Sequence, residues 1–298
     1  RTDTKRPISG SAVSIGKTGN ITVKLSDGTD LDAKHQVTVI VTDHKKAPQQ
    51  GKNVAVKGDL GQSAAGKTDK NGELTVPEVE QTERHGVYIV GYTDGTFGPS
   101  RSMTRSEAAA IFSRLLAEKN GDTISTAANT KFADIPTHAW YSGYVKYLSN
   151  NGITYGKSKT IFAPNDAITR AEFTTMAVRF FDVYGDGDAE IMEQFSGFND
   201  VSSGYWAAEY IKYAALHGWI NGYGDGSFHA DREINRAEVV TIVNRLLGRE
   251  ADEDYIADNL RKLNTFPDVS RKHWAYYAVM EAANAHTAVL GENESWSK

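Results

Sequence analysis

The sequence predicts a multidomain chain, with an all-β sandwich followed by a mainly helical part built from three repeats. Two observations support the sandwich: residues 1–86 contain no Trp, Phe or Tyr, and their apolar residues alternate with polar ones. One observation supports the repeats: Arg105, Arg170 and Arg236 lie 65 and 66 residues apart, each at the start of a similar helical run. Such a regular period indicates a repeat architecture.

The N-terminal part, 1–86, contains short runs in which every second residue is apolar and often β-branched, which is typical of half-buried strands. The runs are 20–25, 36–42, 53–57 and 73–76. Gly, Asp and Asn residues between the runs predict turns, and Asn71 followed by Gly72 is a strong hairpin signal. We therefore predict a small sandwich that serves as a spacer.

From residue 87 onward, two half-units alternate. The Trp half has a Phe, an Asp two residues later and a Trp eight residues after the Phe, and then an amphipathic helical run. Its copies are Phe132, Asp134 and Trp140; Phe198, Asp200 and Trp206; and Phe266, Asp268 and Trp274. The Arg half has a Gly-rich turn, a Phe, and an Arg eight residues after the Phe. Its copies are Gly91, Phe97 and Arg105; Gly156, Phe162 and Arg170; and Gly222, Phe228 and Arg236.

The repeat region, 87–298, starts with an Arg half and ends with a Trp half. Two units are continuous, 132–184 and 198–248, and the third combines 87–118 with 266–286. We expect the terminal Trp helix to pack beside the first Arg half and close a ring of three. The alternative is that 266–286 belongs to a further unit. The charged linker 249–265 is expected to contain an extra exposed helix.

The start of each repeated helix matches a capping box, Thr or Asn followed three residues later by Glu. The boxes are Thr104 with Glu107, Thr169 with Glu172, and Asn235 with Glu238. Capping does not explain the Arg, which the helix dipole mildly opposes at this position. Two compatible explanations remain: the Arg pairs with the Asp of a neighbouring Trp half, or it joins free N–H groups at the helix start in binding an anion.

The Trp residues also allow two interpretations. They anchor the helix starts in the core, or their exposed faces stack on sugar rings beside polar groups. If the three repeated helices run parallel, the Arg side chains, the Trp rings and the Gly-rich turns line grooves between adjacent units.

Composition narrows the function. A net charge of −5 argues against a nucleic-acid partner, and the absence of Cys excludes disulfides and thiolate metal sites. There is no run of about 18 apolar residues, so we expect no membrane span. The eight His show no close metal-ligand spacing, and we expect no metal, no cofactor and no catalytic residues. The polar N-terminus, which lacks Met, suggests a trimmed part of a longer chain.

One nucleotide motif matches by letter: 61–68 fits the phosphate-binding loop pattern ending in Gly-Lys-Thr. A phosphate-binding loop must lead into a helix, whereas a turn signal follows here. We therefore interpret the match as accidental, and treat enzymatic activity as the least favoured hypothesis.

The alternating Trp halves and Arg halves resemble the S-layer homology domain, and the resemblance covers about 87–286. The resemblance implies three units assembled as a pseudo-trimer around a three-helix bundle. It also implies secretion to the bacterial cell surface and binding of an anionic, often pyruvylated, secondary cell-wall polysaccharide, with other surface-layer proteins as further partners. Departures are Ser106 for Ala, Asn235 for Thr, the turn 157–160, and His286 where the other units have Gly. Separately, 67–76 resembles a hairpin of bacterial immunoglobulin-like surface modules.

From the resemblance and the groove argument together, we expect a ligand-binding set at the boundaries between units. It comprises Arg105, Arg170, Arg236, Asp134, Asp200, Asp268, Trp140, Trp206, Trp274, Gly91 and Gly222. The leading hypothesis is non-covalent anchoring to the cell wall. The alternative is a self-assembling surface-layer component that binds no glycan.

Overall fold

A computed structural model of the chain describes residues 20–25, 37–42, 47–48, 50–51, 53–57, 63–75, 81–184, 195–290 and 295–297. The chain divides into two compact units. The first comprises 1–82 with 290–292, and the second comprises 83–289 with 293–298.

The first unit contains short antiparallel strands. They are β1 (Asn20–Leu25), β2 (Val37–Thr42), β3 (Asn53–Lys57), β4 (Ser63–Lys67) and β5 (Glu73–Thr75). One sheet has the order β1-β2-β5 and the other pairs β3 with β4. Four of these strands follow the predicted runs, and β4 was not predicted because its Ser-Ala-Ala-Gly-Lys sequence lacks β-branched residues. The sandwich itself stays a prediction.

The predicted turn before β5 is present, but the prediction that its flanking strands form a hairpin is wrong. The Asp69 carboxylate accepts the N–H groups of Asn71 (2.8 Å) and Glu73 (2.9 Å), and Gly72 takes a φ of 72° that favours glycine. The flanking strands β4 and β5 lie in different sheets, so the turn carries the chain from one sheet to the other. Lys67 ends a strand rather than entering a helix, which removes the structural basis for a phosphate-binding loop.

The second unit is helical, as predicted. Its helices are α1 (Arg105–Asn120), α2 (Ser142–Asn150), α3 (Arg170–Tyr184), α4 (Ala208–Leu216), α5 (Arg236–Leu247), α6 (Glu253–Asn259) and α7 (Tyr276–Ala283). The repeated Arg helices are α1, α3 and α5, and each packs against one Trp helix, in the pairs α1 with α2, α3 with α4, and α5 with α7. Helix α6 is the predicted extra helix.

Two of the Arg helices, α1 and α3, meet through aromatic side chains. The ring of Phe112 on α1 lies 5.3 Å from that of Phe173 and 4.9 Å from that of Phe180, both on α3. All three side chains are fully buried. Aromatic contacts of this length contribute beyond their buried area, so Phe112 is a central contact between two repeats.

Just before the Arg helices, three backbone segments form a closed cycle of hydrogen bonds. The N–H of Met103 donates to the carbonyl of Ile234 (2.9 Å), that of Ile234 to Ile168 (3.0 Å), and that of Ile168 to Met103 (2.8 Å). All three side chains are buried. The three helix starts therefore converge at one point, with equivalent bonds between each pair of repeats.

The C-terminal Trp half contacts the first Arg half. The N–H of Tyr88 donates to the carbonyl of Ala282 on α7 (3.3 Å), and the rings of Phe97 and Phe266 lie 5.3 Å apart. Helix α7 itself packs on α5. After α7, β7 (His286–Leu290) and β8 (Ser295–Ser297) form a three-stranded sheet with β6 (Gln81–His85), in the order β6-β7-β8.

No helix among the described residues combines the length and the apolar composition that a membrane span requires.

We predict that Phe112→Ala lowers the free energy of unfolding by about 3–5 kcal/mol, because it leaves a cavity between α1 and α3. Val183→Ala, at a half-exposed position of α3, should stay within about 0.5 kcal/mol of the parent chain. Urea denaturation followed by tryptophan fluorescence measures both. Equal effects of the two substitutions would contradict the role of Phe112.

Candidate functional site

The Asp of each Trp half holds the backbone just after the Gly-rich turn. Asp134 accepts the N–H groups of Phe162 (2.9 Å) and Ala163 (2.6 Å). The corresponding acceptors and donors are Asp200 with Phe228 (2.7 Å) and His229 (2.7 Å), and Asp268 with Phe97 (2.9 Å) and Gly98 (2.7 Å). The carboxylate thus fixes the loop at the base of each repeat.

These bonds affect the charge of Asp200. Burial raises the pKa of Asp200, but the N–H groups of Phe228 and His229 stabilise its carboxylate, and the net pKa lies below the ordinary value. The ionised form is therefore the one that the fold selects.

The repeated Arg holds the carbonyl of the same Phe from a different repeat. The Nε of Arg105 donates to Phe162 (2.7 Å). In the other copies Arg170 donates to Phe228 (2.9 Å), and Arg236 to Phe97 (2.8 Å). The three Arg residues are only 4%, 5% and 3% exposed. In each copy, the Asp therefore binds the backbone N–H of the Phe and the Arg binds its backbone carbonyl.

Each Arg pairs with the capping Glu of the next repeat. The distances are 3.0 Å from Arg105 to Glu172, 3.2 Å from Arg170 to Glu238, and 3.8 Å from Arg236 to Glu107. The predicted pairing of Arg with Asp is wrong, because the Asp oxygens are taken by backbone N–H groups and the Glu lies closer to the guanidinium. Burial lowers the pKa of the three Arg side chains, and the Glu partners oppose this shift. Each Arg remains a cation, because guanidinium does not deprotonate in proteins.

The capping boxes are confirmed, but the helix starts have no free N–H groups to offer a ligand. The side chains of Thr104 and Asn235 each accept the N–H of the third helical residue, and Thr169 does the same for Glu172 at 3.2 Å. Backbone carbonyls of a neighbouring repeat accept the N–H groups of the first two helical residues, as at Arg105 (3.0 Å) and Ser106 (3.0 Å). The first three backbone N–H groups of each of these helices are therefore already engaged within the protein.

The predicted glycines have a packing role. A Cβ on Gly91 would lie 2.5 Å from the ring of Phe266, and one on Gly222 would lie 2.4 Å from the ring of Phe198. Gly156, in the turn whose sequence departs from the pattern, has Phe132 at 2.5 Å. No side chain fits at these distances, so the Phe of the Trp half requires Gly at the start of the turn.

The Trp side chains lie on the surface. Trp140, Trp206 and Trp274 are 55%, 57% and 65% exposed, which rules out the core-anchor interpretation for all three. Each leans on a neighbouring ring: Trp140 on Tyr141 at 5.4 Å, Trp206 on Tyr205 at 5.8 Å, and Trp274 on His273 at 5.7 Å. Three large apolar faces are therefore open to solvent at equivalent positions.

Tyr205 links one of these Trp residues to the next loop. Its hydroxyl donates to Asp231 at 2.6 Å. Burial and this hydrogen bond raise the pKa of Tyr205 to about 12, so the hydroxyl stays a donor. Trp206 consequently lies one residue from a contact with the loop that carries Arg232.

Two of the three boundaries between adjacent repeats also carry an exposed Arg next to a Tyr. Neither Arg residue was predicted from the sequence. The guanidinium of Arg101 lies 4.2 Å from the ring centre of Tyr92, and that of Arg232 lies 5.6 Å from that of Tyr223. The buried Arg of each boundary touches the same ring, Arg236 at Tyr92 (4.7 Å) and Arg170 at Tyr223 (5.2 Å). The sequence did contain a signal for them, because Arg101 and Arg232 each lie four residues before a repeated Arg, Arg105 and Arg236.

The middle boundary differs. Lys157 and Asp166 occupy the positions of the Tyr and the exposed Arg, and they pair at 2.9 Å. The turn nevertheless closes in the same way, because the N–H of Lys157 donates to Ile161 (2.8 Å) as that of Tyr223 does to Ser227 (2.8 Å). The altered sequence changes the surface chemistry of this boundary and keeps its backbone.

The three repeats, their caps and their boundaries define a helical domain built from three equivalent repeats. Segments 75–109, 131–174 and 197–240 match the S-layer homology domain. The chain therefore carries three S-layer homology repeats, as the resemblance implied.

Named relatives give the same picture. The chain is similar to "Cell surface glycoprotein 1" of Acetivibrio thermocellus, 33% identical over 70% of this chain and 9% of that protein. It is also similar to the "Cellulosome-anchoring protein" of the same organism, 30% identical over 78% of this chain and 49% of that protein. The "Surface-layer 125 kDa protein" of Lysinibacillus sphaericus is 31% identical over 53% of this chain and 13% of that protein. The chain thus spans half or less of each relative.

We predict that Asp200→Asn lowers the free energy of unfolding at pH 7 by about 1.5–3 kcal/mol, because a charged acceptor of two N–H groups is lost. A depressed folded-state pKa contributes stability above the unfolded value of about 3.9, and this stability is lost as the pH falls through the folded value. The difference from the parent chain should therefore narrow in acid.

Denaturant titrations between neutral and acidic pH measure this difference. Asp258→Asn, at an exposed position, removes the same charge and is the matched control. A deficit of Asp200→Asn that stays constant down to pH 2 would show that the carboxylate charge is not the stabilising feature.

Proposed function

We propose that this chain anchors its protein to the bacterial cell wall by non-covalent binding of an anionic, pyruvylated secondary cell-wall polysaccharide. The observation that carries the proposal is the exposure of Trp140, Trp206 and Trp274 at equivalent positions of the three Trp halves. Two of these, Trp140 and Trp206, lie within segments that match the S-layer homology domain. The similarity to a cellulosome-anchoring protein supports an anchoring role. The predicted bacterial cell-surface location agrees with the named relatives.

The exposed Trp rings suit a sugar ligand. A sugar ring has an apolar face of C–H groups that stacks on an aromatic face, while its hydroxyls need polar partners at the edge. Around Trp206 such partners come from Tyr205 and Asp231. Each ring contacts a neighbouring aromatic ring, and more than half of its surface remains open to solvent.

The acid group of the ligand requires an accessible cation. Arg105, Arg170 and Arg236 are buried and already satisfied by a Phe carbonyl and a Glu, so we assign them a positioning role. Arg101 and Arg232 are exposed and lie over Tyr rings, and we assign them the contact with the anionic group. Arg suits carboxylate recognition because its planar fork binds both oxygens.

This assignment makes the boundaries unequal. The boundaries of Arg236 and Arg170 each offer a Tyr and an exposed Arg. The boundary of Arg105 offers Lys157, paired with Asp166, and no Tyr at the turn. Arg232 is itself paired with Glu238, so its boundary differs in the Tyr ring and the planar Arg fork rather than in a free charge. We therefore propose two strong glycan sites and one weak one, with the Asp and Gly residues of the predicted set shaping the loops.

A second candidate function is a structural component of a surface layer, supported by the similarity to a surface-layer protein. In that case the exposed Trp residues contact other copies or other lattice proteins. The N-terminal strands would serve either function as an immunoglobulin-like spacer. We propose no enzymatic role, because the matched repeats are shared with anchoring and surface proteins.

We predict that the chain sediments with purified cell walls that retain their polysaccharide and not with stripped walls. Combining Trp140→Ala, Trp206→Ala and Trp274→Ala should weaken binding at least about tenfold, since each stacking contact contributes about 0.5–1.5 kcal/mol beyond its area. Stability should change little, because these side chains are exposed. Val183→Ala, another exposed apolar residue, is the control.

Equal sedimentation with intact and stripped walls would overturn the glycan proposal. Unchanged wall binding together with lost self-assembly in the triple variant would favour the lattice function instead. Combining Arg101→Gln with Arg232→Gln tests the charge assignment, and Lys157→Gln is its control at the middle boundary. If only the Lys157 variant loses binding, the assignment of the strong sites is wrong.

A further inference from the structure

A buried carboxylate lies between two imidazole rings at the end of the repeat ring. Glu281 on α7 is 1% exposed. One of its oxygens lies 3.2 Å from Nδ1 of His85, and the other lies 3.3 Å from Nε2 of His286. Both His residues are also buried. The ligand atoms of the three residues all lie within 4.8 Å of one another.

The charge of Glu281 has little else to balance it. Neither of its oxygens accepts a hydrogen bond of good geometry from a described residue. No Lys or Arg in the described ranges forms an ion pair with it. An isolated buried carboxylate is costly unless it is paired or coordinates a metal. The position therefore calls for a positive charge at or between the imidazoles.

The orientation of His286 indicates what kind of charge fits. Its Nδ1 lies 2.9 Å from the carbonyl of Asn284, and a carbonyl can only accept, so Nδ1 carries the hydrogen. In the neutral ring, Nε2 then presents a lone pair to Glu281. Trp296 stacks on the ring with 3.8 Å between centres and 13° between planes, which fixes this orientation. A metal-binding His is held in this way, with its second nitrogen on a backbone carbonyl.

We propose that His85, Glu281 and His286 form a binding site for one first-row transition metal ion, with Zn²⁺ as the expected occupant. Two ligands bound at about 2.0–2.1 Å to a tetrahedral ion lie about 3.3 Å apart. Each imidazole nitrogen lies close to this distance from one of the two carboxylate oxygens of Glu281, Nδ1 of His85 from Oε1 and Nε2 of His286 from Oε2. A His₂Glu set leaves a fourth position for water. The carboxylate of Glu83, 3.9 Å from Nε2 of His85, adds negative charge on the outer side.

The ion would tie β6 to α7 and β7, which are adjacent to each other but distant from β6 in sequence. The site is specific to the C-terminal Trp half. At the position of Glu281 the other two repeats have Tyr147 and Tyr213, and at the position of His286 they have Gly152 and Gly218. The departure of His286 from the repeat pattern thus acquires a physical reason. The proposed role of the ion is structural: it would stabilise the closure of the C-terminal segment.

Titration of the chelator-treated, tag-free chain with Co²⁺ tests the proposal, with Zn²⁺ as competitor. We expect one Co²⁺ per chain, visible absorption bands of a low-symmetry four-coordinate ion, and displacement by Zn²⁺. Saturating Zn²⁺ should raise the melting temperature, because the ion binds the folded chain preferentially.

Two variants and one control locate the site. His286→Gln and the isosteric Glu281→Gln should each weaken Co²⁺ binding more than about tenfold. Loss of an outer-shell partner alone costs about tenfold or more in metal affinity, and loss of a direct ligand should cost at least as much. His138→Gln, at an exposed position, should leave binding unchanged. Circular dichroism checks that each variant is folded. Absence of Co²⁺ binding by the parent chain, or binding that folded Glu281→Gln retains in full, would overturn the proposal.

Discussion

The structure of the repeat unit depends on the closed cycle of hydrogen bonds among Met103, Ile168 and Ile234. Each bond contributes only about 0.5–1.5 kcal/mol net, but the cycle places three helix starts side by side with one geometry. Once the starts are fixed, the Arg of one repeat reaches the Phe carbonyl and the capping Glu of the next. The side-chain contacts at the boundaries thus follow from a backbone constraint to which all three repeats contribute one segment.

This arrangement separates stability from recognition. The Arg, Asp and Gly that recur in all three repeats are engaged in holding one Phe and its loop. The groups left open to solvent are the Trp rings and the exposed Arg at two boundaries. Variation at exposed positions, such as Lys157 with Asp166, changes the surface without altering the turn. A repeat can therefore lose or gain ligand affinity and still fold.

Much of this could be predicted from the sequence because local signals determine it. Capping boxes and helical periodicity located α1, α3 and α5, and alternation located four strands. Side-chain partners were less predictable. One explanation of the repeated Arg was pairing with the Asp of a neighbouring Trp half, but spacing alone cannot show that backbone N–H groups occupy that carboxylate, as they do at Asp134. His85 and Glu281 are far apart in sequence, so their meeting depends on tertiary closure that no local pattern records.

The most direct test of the closed ring is native-state hydrogen exchange of the amides of Met103, Ile168 and Ile234. If the cycle forms one cooperative unit, the three amides open only together, with one shared free energy equal to that of unfolding the repeat unit. An amide of Ile234 that exchanges with a markedly lower opening free energy than those of Met103 and Ile168 would show that the ring opens locally. That result would contradict a fold held closed by the cycle.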